Sequence, residues 1–361
     1  MLSGGAFIGR LPKAELHVHL DGSLRPATMV ELADACGVAL PSRDPDALAR
    51  YMCADGVADL EAYLKRFDLT LSVLQTAEAL DRVAYELVLD HAAENVRYLE
   101  VRFSPVLNTR GGLTLDEVME ATLRGMGRGM AETGVRGGVI VCALRSLSPE
   151  VSTALAELAV SYRGRGVVAF DLAGGEAAHP AREHHEAFTV AARGGVARTV
   201  HAGEAAGPES IRQALVEGRA QRIGHGTRLC EDPALEEVVR DQQIPLEICL
   251  TSNVQTRAAE SLAAHPLRRY FEAGIPVTLC TDNRLVSGTT LQQEYQAARE
   301  HQGFSDPELA RLAWHGFRAA FLPWPEKSAL LAAVAVELEA LGLGMESPAA
   351  ETTGAPGVPS D

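Results

Sequence analysis

The chain has 361 residues, 47% hydrophobic and 22% charged, an ordinary soluble composition with room for one large α/β domain or two smaller ones. Its formal net charge of −15 excludes the positive field that a nucleic-acid backbone requires and disfavours anionic membrane surfaces. No apolar run is long enough to span a bilayer, and the N-terminus MLSGGAFIGRLPK lacks the core of a secretory signal, so a cytoplasmic location is expected.

Eight short apolar, β-branched-rich runs follow one another along the chain. The first, AELHVHL (14–20), carries His17 and His19 just before an Asp21-Gly22 turn. Successive side chains of a strand alternate faces, so positions two apart share one. Either the pair is one buried and one exposed histidine, or it is two ligands of a single cation. The remaining runs are VRYLEVRFS (96–104), VRGGVIVCAL (135–144), GVVAFDLAG (166–174), VARTVHAGE (196–204), QRIGHGT (221–227), IPLEICLTSN (244–253) and IPVTLCTDN (275–283). Between them lie amphipathic stretches such as 149–166 and 207–220, with apolar residues at helical spacing. Eight strand–helix alternations in a chain of this size predict an α/β fold, a (β/α)8 TIM barrel with a helical insertion after strand one. A doubly wound sheet is the structural alternative, but no G-x-G-x-x-G follows the first strand.

The first two strands are separated by about 75 residues, far more than a usual βα connection. Leu60, Tyr63, Leu64 and Phe67 recur there at helical spacing and read mainly as a packing face. An insertion at this place, about 23–95, emerges on the catalytic face of a barrel and is a candidate lid. One barrel domain is expected over 1–344. The tail 345–361, rich in Pro, Gly, Ala, Thr and Ser, reads as disordered.

Barrel active sites are assembled from the C-terminal ends of several strands. Those ends carry His17, His19 and Asp21; Asp171 to Gly174; His201 and Glu204; His225; and Thr281, Asp282 and Asn283. Four histidines and an aspartate converging on one barrel mouth point to a mononuclear metal centre. The six cysteines show no C-x-x-C spacing, so the ligands are nitrogen and oxygen, which suits zinc, with iron, manganese or cobalt as substitutes. Such a cation lowers the pKa of a bound water towards ~7 and prepares attack on carbon or phosphorus. His184 and His185 read as a solvated helix face, and His91, His179, His265, His301 and His315 receive no role.

The ordered set PKAELHVHLDGSLRP, DLAG, HAGE, RIGHGT, LTSN and TDN, running from 12 to 283, resembles the adenosine deaminase family of the amidohydrolase superfamily. The resemblance implies one zinc held by His17, His19, His201 and Asp282, with the fifth position left for water. It implies that His225 orients that water and accepts its proton. Glu204 would protonate purine N1 as hydroxide attacks C6, which requires a carboxyl kept neutral by burial. Gly174 would offer its backbone N–H to N3, and Asp21 would hold a ribose hydroxyl near the 5′ end. Where many members have Asp-Asp, this chain has Asp282-Asn283; an asparagine donates to N7 at any pH. Gly175 likewise stands where an Asp often follows DLAG.

The expected reaction is hydrolytic deamination of a 6-aminopurine nucleoside, adenosine or 2′-deoxyadenosine, in purine salvage. A 6-aminodeoxyfutalosine deaminase of menaquinone biosynthesis is the alternative with the same chemistry. Adenine, N6-substituted adenines and AMP are further possible substrates. A phosphate would want clustered cations near the ribose, and Arg25 and Arg284 are too scattered for a clamp. From other classes come a catalytically silent nucleoside-binding protein, although every expected ligand and the acid are present, and a two-metal amidohydrolase, although strand four lacks a bridging lysine.

Overall fold

The computed structural model describes residues 4–57 and 59–344; the tail expected to be disordered lies outside them. Among the described residues eight strands run in sequential order around one parallel sheet. They are β1 (Lys13–His19), β2 (Val96–Phe103), β3 (Arg136–Leu144), β4 (Val167–Ala173), β5 (Ala197–Ala202), β6 (Arg222–His225), β7 (Leu246–Ile248) and β8 (Val277–Leu279). The ring closes where Val18 bridges Asp282: His19 N–H donates to the Asp282 carbonyl, and Asp282 N–H to that of His17, both at 2.8 Å. The architecture is the (β/α)8 barrel that the strand–helix alternation predicts.

Local chemistry sets the element ends. The helix Leu115–Thr133 opens on a reciprocal cap between Thr114 and Glu117 and ends on Gly134 in the left-handed region. The stretches expected at 149–166 and 207–220 form shorter helices, Pro149–Ser161 and Pro208–Val216, each with proline in its first turn. Strands seven and eight are also shorter than their apolar runs. The chain turns helical at Leu250–Gln255, which takes the LTSN motif out of the strand, and Asp282 leaves β8 with φ +59°.

The barrel interior departs from the usual filling of branched apolar layers. Arg102 of β2 reaches Asp171 of β4 and Glu247 of β7, each at 2.8 Å, and Arg222 of β6 pairs with Glu247 at 2.6 Å and with Glu100 of β2. Contacts between such distant strands are possible only across the inside. Gly224 leaves space there, because a Cβ would stand 3.1 Å from His17 Cε1. Apolar packing lies between strands and outer helices instead.

Between β1 and β2 the chain forms the helices Pro26–Cys36, Pro45–Met52, Leu60–Leu64, Phe67–Val73 and Ala77–Ala93. Arg25 pairs with Asp90, and Arg284 with Glu94, so neither arginine is free for a ligand phosphate. One histidine differs from expectation. His184 is buried, not solvated, with Nδ1 2.8 Å from Ser152 Oγ and Nε2 3.2 Å from the Arg145 carbonyl. Among the described residues no helix is long and apolar enough to cross a membrane.

Candidate active site

Three strand ends, those of β1, β5 and β8, supply the central cluster. His17, His19, His201 and Asp282 each present one donor atom, all within 4.8 Å of one another. His19 Nε2 lies 3.2 Å from His201 Nε2 and 3.4 Å from Asp282 Oδ1; His17 Nε2 is 3.5 Å from the same oxygen. His17 Nε2 is buried with no hydrogen-bond partner. Such an orphan costs ~1–3 kcal/mol unless something fills it. Three imidazoles and one carboxylate at this spacing fit a divalent cation that takes nitrogen and oxygen donors.

Three of the four donors are aimed from behind. His17 Nδ1 meets Glu247 Oε2 at 2.8 Å, and His201 Nδ1 meets Asp171 Oδ2 at 3.1 Å. A carboxylate on Nδ1 draws the ring proton there and leaves the Nε2 lone pair facing the cluster. Ser252 Oγ donates to Asp282 Oδ2 at 2.6 Å, leaving Oδ1 turned inwards. Burial alone would push both supporting carboxylates up. Arg102 and Arg222 hold Glu247 well below its ordinary pKa, and His201 and Arg102 do the same for Asp171. Unpaired, these buried charges would be costly; cross-linked by two arginines they form a rigid frame.

Backbone strain collects at the same place. Asp282 and His225 have φ of +59° and +63°, and each is spanned by a bond from residue i+2 back to i: Asn283 N–H to Thr281, Gly226 N–H to Gly224. These are γ-turns of the strained hand, held by the surrounding structure at about 1–3 kcal/mol each.

Glu204 follows β5 and is buried. Its Oε1 accepts from Thr256 Oγ1 at 2.9 Å, and its Oε2 is 3.5 Å from His225 Nε2. Burial, and then the carboxylates of Asp282 and Glu176, raise its pKa well above the ordinary value. Glu176 escaped sequence reasoning. Its carboxylate accepts four backbone N–H groups in a row, from Gly203, Glu204, Ala205 and Ala206, at 2.6 to 3.1 Å. It thereby clamps the loop that carries Glu204. Glu247 was equally missed, and Asp171, named at its strand end, received no role, although a charged residue inside an apolar run was a visible signal for both.

Above the cluster opens a cavity of about 410 Å³. His19, Asp21, Gly174, His201, Glu204, His225, Asp282 and Asn283 all line it, while His17 lies beneath its floor. Thus the structure gathers the sequence-predicted residues into one place. Leu60, Tyr63, Leu64, Phe67 and Leu71 of the segment after β1 form an apolar wall, so residues read as a packing face also bound the cavity. Asp21 Oδ1 is buried without a partner, and burial lifts the Asp21 carboxyl to a pKa of about 7. Asn283 Nδ2 donates to Tyr63 OH at 2.8 Å; its oxygen packs so closely on Gly22 that no Cβ fits there.

Comparison with known proteins gives a consistent result. A family model described as adenosine deaminase matches residues 12–337. An adenosine deaminase of Mycobacterium sp. (strain JLS) is 43% identical over 343 residues, covering 90% of this chain and 94% of its own. Among solved structures, an adenine deaminase from Arthrobacter aurescens superposes with TM-score 0.85 at 27% identity, covering 91% of this chain and 99% of that one. An N6-mAMP deaminase from Arabidopsis does so with TM-score 0.82 at 30% identity and the same coverage.

Proposed function

The chain belongs to the adenosine deaminase family, and from that premise we propose that it hydrolyses adenosine or 2′-deoxyadenosine to the 6-oxo nucleoside and ammonia. It is a purine deaminase of the aminohydrolase class; the nucleoside as substrate is the finer step. His17, His19, His201 and Asp282 would hold one zinc ion. A divalent cation there would lower the pKa of a water to ~7 and supply the nucleophile at neutral pH.

This chain's own groups do the rest. Neutral Glu204 gives its proton to purine N1 while oxygen adds to C6, so the N1–C6 double bond becomes single as the C–O bond forms. The tetrahedral carbon then breaks its bond to the amine. The added hydroxyl passes its proton to that amine, ammonia leaves, and C6=O remains with N1 protonated. Glu204 regains a proton from the next water, so atoms and charge balance. The apolar wall at Leu60, Leu64 and Phe67 covers the purine and excludes bulk water. Gly174 offers a backbone N–H towards N3, and Asn283 its amide towards N7.

The substrate reading rests on one observation: the buried Asp21 carboxyl, with an unpartnered oxygen, in the cavity that holds the cluster and Glu204. A carboxyl there accepts a ribose hydroxyl and, when ionised, repels a 5′-phosphate; Lys65 and Arg110 line the cavity too but are exposed, and Asp68 lines it as well. The test is kcat/KM of the zinc-loaded protein towards adenosine, 2′-deoxyadenosine, adenine, AMP, N6-methyl-AMP and 6-aminodeoxyfutalosine. Preference for the two unmodified nucleosides supports the proposal. Preference for the free base, a nucleotide or the futalosine derivative overturns it.

A further inference from the structure

We propose that Asn253 and His265 are positioning residues that hold neutral His225 with its proton on Nε2, so that it faces the reacting oxygen as a hydrogen-bond donor. The oxygen's place rests on the deaminase reading above; the proton's place does not.

The reasoning starts from a group with no choice. The backbone N–H of Leu267 donates to His265 Nδ1 at 3.1 Å, so that nitrogen carries no proton. His265 is buried, and burial lowers its pKa to about 3, which keeps the ring neutral. Its one proton therefore sits on Nε2, 3.1 Å from the Asn253 side chain. A donor must meet an acceptor, so the amide oxygen faces His265. The Thr227 hydroxyl donates to the same oxygen at 3.0 Å. The amide nitrogen is then turned the other way, 3.0 Å from His225 Nδ1, and donates to it. Rotating the amide would set N–H against N–H at His265.

With Nδ1 occupied as an acceptor, the proton of neutral His225 sits on Nε2, on the side of Glu204 and the cavity. This revises the expectation that His225 accepts the proton of water, because its site-facing nitrogen already bears one. The proton that water releases restores Glu204, which has given its own to N1. His225 instead donates to oxygen, where negative charge grows and shifts during addition and collapse.

Neutron diffraction from the deuterated zinc-loaded protein reads the proton positions directly. Deuterium on Nε2 of both His225 and His265, and none on their Nδ1 atoms, is the expected result. Deuterium on His225 Nδ1 overturns the proposal whichever purine proves to be the substrate. His265→Phe removes the anchor and lets the Asn253 amide rotate. The variant should show deuterium divided between the two His225 nitrogens, with kcat down about tenfold and KM and zinc content unchanged. Undivided Nε2 occupancy in that variant would show that His265 sets nothing. Divided occupancy with wild-type kcat would show that the tautomer has no catalytic role. If the substitution prevents folding, the wild-type proton positions still decide the tautomer.

Discussion

The backbone N–H of Glu204 donates to Glu176 at 3.0 Å, so one residue both fixes the catalytic loop and surrounds its carboxyl with negative charge. Glu176→Gln keeps the size and removes one acceptor, turning an NH2 group towards backbone donors. Bonds from N–H to a charged acceptor are worth ~1.5–3 kcal/mol each. With its amide oxygen on the Oε2 side the variant keeps three of these bonds, now to an uncharged acceptor, and loses the one from Gly203, which should displace Glu204 and lower kcat by roughly tenfold or more, with zinc content unchanged. Steady-state kinetics beside metal analysis checks this; a fully active variant would remove Glu176 from the positioning role.

Glu204→Gln tests the acid itself. The amide can still take the Thr256 hydroxyl bond but has no acidic proton for N1. We expect kcat to fall by ~10²–10⁴ while zinc and nucleoside still bind. The pH profile carries the sign. A carboxyl with a raised pKa is neutral below that value and active there, so wild-type kcat should decline as pH rises through it. Near-normal turnover in the variant would refute the donor role.

Much of this is legible in the amino-acid sequence alone. The strands appeared as β-branched runs because both faces of a barrel strand are buried, and the cluster appeared because strand ends meet at one mouth. The barrel's charged frame was half legible. Glu15, Glu100, Arg102, Asp171 and Glu247 interrupt apolar runs, yet only closure of the ring shows that Arg102 bridges strands four and seven. The Glu176 clamp was hidden, since it depends on four consecutive N–H groups turning inwards nearly thirty residues away. His184 misled for the same reason: its sequence neighbours are polar, while its spatial neighbours are Ser152 and the Arg145 carbonyl. Periodicity reports which face is buried; it does not report which distant group shares that face.

His17→Ala should lose metal and activity together. Its Nε2 is the buried orphan of the cluster and its other nitrogen is tied to Glu247, so the substitution removes a donor and also the partner of a buried carboxylate. Elemental analysis should find far less than one zinc per chain, and thermal stability should no longer respond to a chelator. In the wild type a chelator should lower Tm, because an ion that binds only the folded chain stabilises it by mass action. A zinc-replete, active variant would take His17 out of the ligand set.

Asn283→Asp should leave the enzyme working at low pH and weaken nucleoside binding as pH rises. The new carboxyl would sit buried beside Asp282, so its neutral form would persist to an elevated pH and donate as the amide does. Once ionised it could only accept, as N7 does. KM should therefore climb with pH more steeply in the variant than in the parent. Parallel profiles would place Asn283 away from N7.

Glu294 offers a stability test outside the catalytic groups. It is fully buried, accepts from the Thr251 and Thr289 hydroxyls, and burial lifts its pKa from 4.5 to about 7. Between those two values the unfolded chain has released this proton and the folded protein still holds it. Stability therefore falls as pH rises from about 4.5 to about 7 and then levels, by at most about 3 kcal/mol from this residue. Glu294→Gln mimics the neutral acid at every pH and removes that slope. The amide loses a weak acceptor for the Thr251 N–H, a penalty that does not vary with pH. Relative to wild type the variant should gain stability from pH 5 to pH 8, read as the difference between their Tm values at each pH, which cancels any loss of metal common to both. A difference that stays constant across that range would mean Glu294 is already ionised in the folded protein at pH 5.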